Sequence, residues 1–391
     1  AGHKDDTIRG ILTVAGFSTV LYLVIFFVSE PKSLPRRGVA AFIGAATVLT
    51  LLWRLLYIRI FTTPAFLRRV IVIGAGRAGT SIVDIIQEIN PSPFTLIGYV
   101  DDDLEKQGRS FSGLEVIGDS TKLLEIIEKE HVTDLIFAIS GEMKPSLYAA
   151  ILKAEERGIE VTTMPAIYEE LLGRVPISLL DDDWILRSFV DRSHASGSYE
   201  LGKRMMDLLG AFIGLIILCA FFPFISLGII IDDGFPVIFK QKRVGKSGKI
   251  FHLLKFRSMR RDAEKDGVAR FAVENDERAT RWGRFLRKTH LDELPQFLNI
   301  LKGDLSLVGP RAERPELVEQ FQKEVPFYRA RLFIKPGLTG WAQVNYHYAS
   351  NPEETAVKLE YDLYYIMHRN ILLDILILVR TVGQVIGFRG I

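Results

Sequence analysis

Three long apolar runs constrain this chain of 391 residues more than any other feature. Residues 8–28 are apolar, with Arg9 near one end, and residues 38–60 are apolar, with Arg54 and Arg59 near the other. No charged side chain lies within residues 11–28 or 39–53. A bilayer-spanning helix needs ~20 such residues, so each run predicts a transmembrane helix, and residues 1–62 form a two-helix membrane segment. The alternative is a single buried hairpin in a soluble domain. A hydrophobic share of 48% and a mean hydropathy of +0.18 favour the membrane. A signal peptide is not expected, because the second run follows at once and no small-residue cleavage site stands out. The chain starts at Ala1 and not at Met, as a trimmed product would. Lys32, Arg36 and Arg37 lie between the runs and Arg59, Arg68 and Arg69 beyond them, so positive charge does not set the orientation.

The third run, residues 208–231, is also long enough to span, but Pro223 sits near its middle and a proline removes a helical hydrogen bond there. Lys203 and Arg204 precede it, and Lys240, Lys242 and Arg243 follow it. The positive-inside tendency puts both ends on the cytoplasmic side. A helix over residues 204–232 that enters, breaks at Pro223 and returns satisfies both observations; a kinked spanning helix is the alternative.

Between the second and third runs the pattern turns to α/β. Val70-Ile71-Val72-Ile73 reads as a buried strand, followed by Gly74-Ala75-Gly76-Arg77-Ala78-Gly79 and helical periodicity over residues 80–89. Strands are expected at 95–100, 134–139 and 159–164, and helices near 122–130 and 147–157. That alternation predicts a Rossmann-like parallel sheet over residues 63–186. Gly74, Gly76 and Gly79 match the dinucleotide fingerprint in its strand–turn–helix context, and Asp101 stands where the ribose-binding acid belongs. The alternative is a tight turn that needs its glycines and binds nothing. Residues 187–202 are polar and rich in small residues and read as a linker.

From residue 203 to the end the chain is dense in basic and turn residues. Leu291-Asp292-Glu293-Leu294-Pro295-Gln296 places two carboxylates side by side, where they repel. They read as the start of a short helix, with Thr289 as N-cap, Pro295 tolerated in the first turn and Lys302-Gly303 as the stop. A helix N-terminus and a cation between them would keep both ionised, and an ionised Asp292 is then a candidate nucleophile or metal ligand. Complementing the helix dipole is the plainer role. Alternation in Phe251-His252-Leu253-Leu254-Lys255-Phe256-Arg257 puts Lys255 and Arg257 on one face of a strand. Trp282, Phe285 and Leu286, with Arg281, Arg284 and Arg287, suggest an amphipathic helix at a membrane surface. The helix over residues 371–386 is interrupted by Asp374 and Arg380, so it lies on the membrane or packs and does not cross. Collected, Lys255, Arg257, Arg287, Arg311 and Lys335 face Asp292, Glu293 and Asp362. Arginine forks suit phosphate, and Asp292 and Glu293 suit Mg²⁺ bridging to substrate phosphates. The set points to phosphoryl transfer at a bilayer. A net charge of only +2 gives no signal for nucleic acid, and the single cysteine, Cys219, excludes a disulfide within the chain.

Four ordered motifs carry a resemblance: Lys255-Phe256-Arg257-Ser258-Met259, Leu291-Asp292-Glu293-Leu294-Pro295-Gln296, Val308-Gly309-Pro310-Arg311, and Lys335-Pro336-Gly337-Leu338-Thr339-Gly340-Trp341-Ala342-Gln343-Val344-Asn345. From about Lys203 onward the chain resembles the bacterial sugar transferase family, the monotopic phosphoglycosyl transferases that act as polyprenyl-phosphate hexose-1-phosphate transferases. The resemblance implies a membrane protein of the α/β class, with N-terminal transmembrane helices, a Rossmann-like parallel-sheet domain, and an α+β catalytic domain (203–391) holding the re-entrant helix. It implies that Asp292 attacks the β-phosphate of a UDP-sugar, releasing UMP, and that undecaprenyl phosphate takes the phosphosugar from the aspartyl intermediate. Glu293 would help hold Mg²⁺ or act as a base. Lys255, Arg257, Arg287, Arg311, Lys335, Gln343 and Asp362 would surround the substrate phosphates. A bacterial inner membrane is implied, with catalysis on its cytoplasmic face. The Rossmann-like domain would serve dimerisation or regulation, giving a homodimer. Large members carry four N-terminal helices where this sequence shows two, as a missing start or another subgroup would give. The sequence departs from the family at Phe222-Pro223, where Ser-Pro is usual, at Ala312, where proline is usual, and at Tyr346-His347, where Gly-Arg is common. The competing function is a membrane-anchored NAD(P)-dependent oxidoreductase or epimerase acting on a nucleotide sugar; the lack of a Tyr-x-x-x-Lys pair after the glycine turn counts against it.

Overall fold

A computed structural model describes residues 4–29, 36–61, 68–139, 143–179, 196–261, 263, 277–346 and 351–386. The chain divides into two compact units, Ala1–Ile167 and Tyr168–Ile391. The expected 187–195 part of the linker lies outside the described residues.

In the first unit, helices α1 (Lys4–Val28) and α2 (Arg36–Phe61) pack on one another. Phe17, Val20, Leu49 and Trp53 are exposed along them, an apolar surface that water disfavours and a bilayer covers. Both are long and apolar enough to cross a membrane. The rest is an α/β layer of β1 (Arg68–Ile73), α3 (Arg77–Glu88), β2 (Phe94–Val100), β3 (Ser110–Phe111), β4 (Leu114–Gly118), α4 (Leu123–Lys129), β5 (Asp134–Phe137), α5 (Pro145–Glu156) and β6 (Glu160–Thr163). The strand order is β3-β4-β2-β1-β5-β6, parallel except for β3 against β4. Ile71, Ile73, Leu123, Leu135 and Ile151 form its core. The β-branched runs give a buried central strand, as a sheet covered on both faces requires. The small antiparallel hairpin is an addition: Ser112 and Gly113 both take positive φ and turn two short strands back on each other. Helix α6 (Met164–Leu172) carries the chain to the second unit.

The second unit opens on a segment that its core encloses. Val175 is 1% exposed and sits in the cluster of Ala211, Ile300, Leu305, Val308, Leu363 and Ile377. Helix α7 (Gly197–Asp233) follows; Ser196 caps it by accepting from the Tyr199 N–H at 3.3 Å, so residues 197–202 are helical and not linker. The chain continues through β7 (Ile238–Val244), β8 (Ile250–Phe256), α8 (Arg281–Lys288), a 3₁₀ turn Leu291–Glu293, α9 (Gln296–Lys302), β9 (Ser306–Val308), α10 (Pro315–Glu324), β10 (Gly337–Thr339), α11 (Trp341–Asn345), α12 (Pro352–His368) and α13 (Ile371–Ile386). β7 and β8 form an antiparallel hairpin, and β9 and β10 pair in parallel.

Helix α7 does not break at Pro223; its 37 residues are helical throughout, a length of about 55 Å if straight. A proline costs one intrahelical hydrogen bond, which a helix held by its neighbours can absorb. A Cβ at Gly210 would meet Leu307 at 2.5 Å, at Gly214 Phe297 at 2.4 Å, and at Gly228 Trp282 at 2.4 Å. The helix therefore lies against the second unit on both sides of Pro223. At its start Lys203 pairs with Asp374 at 3.0 Å, and Arg204 donates to the Ile300 and Leu301 carbonyls at 2.9 Å. At its end Asp232 accepts from the Trp282 N–H at 2.7 Å, and Arg257 donates to the Asp233 carbonyl at 2.8 Å. The opposite face exposes Phe212, Ile216, Phe224, Leu227 and Ile231. Helix α13 exposes Leu372, Val379 and Val382 while Asp374, 0% exposed, turns inward to Lys203, Tyr199 and Tyr365.

Candidate active site

The paired acids sit on the 3₁₀ turn between α8 and α9, not in the first turn of a helix. Thr289 closes α8: its hydroxyl donates to the Phe285 carbonyl at 2.8 Å. It therefore does not cap the next helix. His290 follows in the left-handed region, φ 56°, and reverses the chain; a non-glycine residue held there is strained. Helix α9 begins only after Pro295 and ends at Gly303, φ 91°. In a 3₁₀ turn residues three apart share a face, and Leu291 and Leu294 both pack on the cluster of Leu218, Ile225, Ile229, Phe256 and Leu286. That anchors the turn to α7 and leaves Asp292 and Glu293 between the two leucines.

Side chains, not a helix terminus, balance the acids. Lys255, the penultimate residue of β8, places Nζ 2.6 Å from Glu293 Oε1. Arg311 stands 3.7 Å from the same oxygen, and Arg287 contributes positive potential at Asp292. Asp292 is 7% exposed. Burial pushes its carboxyl above the usual range and the Glu293 charge adds to that, against the pull of Lys255, Arg287 and Arg311. Burial would raise Glu293 too, but Lys255 and then Arg311 outweigh it and hold that carboxyl well below its ordinary value. The pair thus carries its first negative charge on Glu293. Asn299 ties this region to the hairpin, accepting from the Leu254 N–H at 3.0 Å and donating to the His252 carbonyl at 2.8 Å.

Asp292, Glu293, Lys255, Arg287 and Arg311 are brought together. Two expected phosphate ligands, Arg257 and Asp362, are spent on other partners. Strand β8 ends at Phe256, so Arg257 leaves the Lys255 face and is spent on the end of α7, ion-paired with Asp233 at 3.1 Å. Asp362, 2% exposed, is buried against Arg331 at 2.9 Å. Lys335 lies beside Gly303. The Gln343 amide donates to the Leu338 carbonyl at 3.3 Å. Residues 347–350, including His347, lie outside the described residues. Sequence reasoning missed His290, Glu313 and Arg331. The first shows no signal but its adjacency to the acids, and the other two read as ordinary surface charge.

Among the described residues no group of three His, Cys, Asp or Glu side chains is arranged to hold a metal. Two adjacent carboxylates still fit Mg²⁺, which takes one or two protein carboxylates and completes its shell from water and substrate phosphate.

The glycine turn of the first unit is self-contained. Gly74 takes φ 103°, and a Cβ on Gly79 would lie 1.9 Å from the Gly74 carbonyl oxygen. Gly76 precedes α3 with open space around it. Asp101 accepts from the Ala75 N–H at 2.8 Å and pairs with Lys106 at 2.9 Å.

A family model described as bacterial sugar transferase matches residues 198–388, and one described as CoA-binding domain matches residues 4–165. A UDP-N-acetylgalactosamine-undecaprenyl-phosphate N-acetylgalactosaminephosphotransferase of Aeromonas hydrophila is 42% identical over 59% of this chain and 53% of its own. A UDP-glucose:undecaprenyl-phosphate glucose-1-phosphate transferase of Xanthomonas campestris pv. campestris is 33% identical over 70% of this chain and 57% of its own. A putative undecaprenyl-phosphate N-acetylgalactosaminyl 1-phosphate transferase of Bacillus subtilis (strain 168) is 48% identical over 36% of this chain and 78% of its own. The chain spans little more than half the length of the first two relatives.

Proposed function

Because the chain belongs to the bacterial sugar transferase family, we propose that it transfers a sugar 1-phosphate from a UDP-sugar to undecaprenyl phosphate. One observation carries the reading: two adjacent, largely buried carboxylates face Lys255 and Arg311 on a turn pinned to an apolar helix. An Asp292 carboxylate oxygen forms a bond to the sugar-bearing phosphorus, and the bond from that phosphorus to UMP breaks. The lipid phosphate then attacks the same phosphorus and releases Asp292. Lys255, Arg287 and Arg311 stabilise the charge that builds on the phosphoryl oxygens. Glu293, held anionic, keeps Lys255 in place. Mg²⁺, held by Asp292 and Glu293 together with substrate phosphates, would supply charge neutralisation.

The same reading places the catalytic unit at the cytoplasmic face of a bacterial inner membrane, with the exposed apolar face of the continuous helix α7 immersed in one leaflet. Its support is that both ends of α7 are tied to the same unit and that contact runs from Gly210 to Gly228. A perpendicular crossing would take Arg281, Arg284 and Lys288, which neighbour Trp282, into hydrocarbon at a cost of several kcal/mol.

Purified protein in detergent, supplied with undecaprenyl phosphate, is expected to release UMP from one of UDP-N-acetylgalactosamine, UDP-glucose or UDP-galactose. Asp292→Asn, still folded by circular dichroism, is expected to release none, and a sugar-phosphate adduct should appear on Asp292 by mass spectrometry with UDP-sugar alone. Retained turnover in Asp292→Asn excludes this nucleophile.

A further inference from the structure

We propose that Arg331 and Arg243 are positioning residues that fix the backbone carrying Arg311, and so aim its guanidinium at the acid pair and the phosphate it meets. The loop after β9 is held at four successive carbonyls, each by a different partner. Pro310 O accepts from the Gly337 N–H at 2.9 Å. Arg311 O accepts from Arg331 Nη2 at 3.0 Å. Ala312 O accepts from Arg243 Nη1 at 2.8 Å. Glu313 O accepts from the Val244 N–H at 2.9 Å. On the other side of the turn the Gly309 N–H donates to Thr339 O at 2.9 Å. A surface loop has no need of such complete fixation. An arginine that must present a planar fork to phosphate does, because an error of an ångström forfeits the bidentate geometry.

The two side chains that supply this fixation are themselves held from behind. Arg331 is 5% exposed. It donates to the Tyr328 hydroxyl at 2.6 Å and to Asp362 at 2.9 Å, and lies 3.8 Å from Glu313. Glu313 in turn pairs with Lys358 at 2.8 Å and stands 3.6 Å from Arg243. A buried guanidinium is costly unless paired on all sides, and Asp362, Glu313 and the tyrosine supply that pairing. This accounts for Asp362, an acid that sequence reasoning placed among the phosphate ligands and the fold places behind them. The chain of contacts runs Asp362, Arg331, Arg311 O, Arg311 guanidinium, Glu293. It needs no substrate contact from the first two.

The inference rests on the proposed phosphoryl transfer, and its test separates the two. UMP release is measured for the full chain in detergent with undecaprenyl phosphate and UDP-N-acetylgalactosamine, UDP-glucose or UDP-galactose, whichever the wild type turns over. Wild type that turns over none of them overturns the functional reading. With an active wild type, Arg331→Lys is expected to lose roughly 10- to 100-fold in kcat with KM changed far less. The double variant Arg311→Ala/Arg331→Lys is expected to lose no more than Arg311→Ala alone. Losses that multiply in the double variant, or an Arg331→Lys enzyme with wild-type kcat, overturn the positioning role. Should Arg331→Lys fail to fold, the same cycle of Arg243→Gln against Arg311→Ala decides, because Arg243 lies nearer the surface and holds the adjacent carbonyl.

Discussion

Glu293 stays anionic because Lys255 stands 2.6 Å away in a site that burial would otherwise neutralise. Replacing the ammonium by an apolar chain raises both carboxyls, since Lys255 lowers Asp292 as well. Lys255→Met is therefore expected to cut UMP release by about 10²- to 10³-fold. The acid limb of its pH–rate profile is expected at higher pH than in wild type, because ionised Asp292 is then reached later; a limb moving to lower pH contradicts the assignment. Which residues meet here was legible where a motif names them: Asp292, Glu293, Lys255, Arg287 and Arg311 all stand in or beside short runs. Arg257 was not, because alternation cannot tell where a strand stops, and β8 stops one residue too soon for it. Asp362 and Arg331 were not, because their meaning lies in each other, 31 positions apart.

Helix α7 shows how an element can be foreseen in outline and misjudged in detail. Its length and apolar character follow from composition; its continuity through Pro223 depends on the neighbours that brace it. Gly214 is the sharpest of those contacts. Gly214→Ala puts a Cβ 2.4 Å from the Phe297 ring, so a loss of about 1–3 kcal/mol is expected, read as a lower Tm in detergent. Helix α12 carries a different sensitivity. Glu360, 5% exposed, lies 3.2 Å from the Tyr168 hydroxyl and 3.4 Å from Arg174, and burial pushes its carboxyl up to about 7. Between its ordinary value and about 7 the folded chain holds a proton that the unfolded chain has lost. Stability from this group is thus fully present at low pH and lost as pH rises through that window. The fall in Tm from pH 5 to pH 8 is expected to be smaller in Glu360→Gln than in wild type; an equal fall excludes Glu360 as its source. In the first unit β1, β2, β5, β6 and the helices between them were readable from periodicity, and the β3–β4 hairpin was not: β3 is two residues long and β4, Leu114–Gly118, went unread.

Across the whole chain the contacts divide at Ile167 and Tyr168, ahead of both the anticipated linker and the start of the transferase family match at residue 198. The reason is a handful of long-range contacts that no local signal announces. Trp341 Nε1 donates to the Gly173 carbonyl at 2.6 Å, the Val175 N–H donates to the Glu360 carbonyl at 3.1 Å, and His368 pairs with Glu169 at 2.7 Å. A fragment beginning at Tyr168 is accordingly expected to melt higher than one beginning at Ser196 when both are measured in the same detergent; equal melting temperatures would show that the segment adds nothing. The enclosed segment also dictates how chimeras between relatives should be spliced. A crossover placed at the edge of the recognised motifs would import a foreign stretch beneath Trp341, where any side chain in place of Gly173 would meet the indole at 3.1 Å, whereas a join upstream of Tyr168 would exchange the N-terminal unit and leave that contact native.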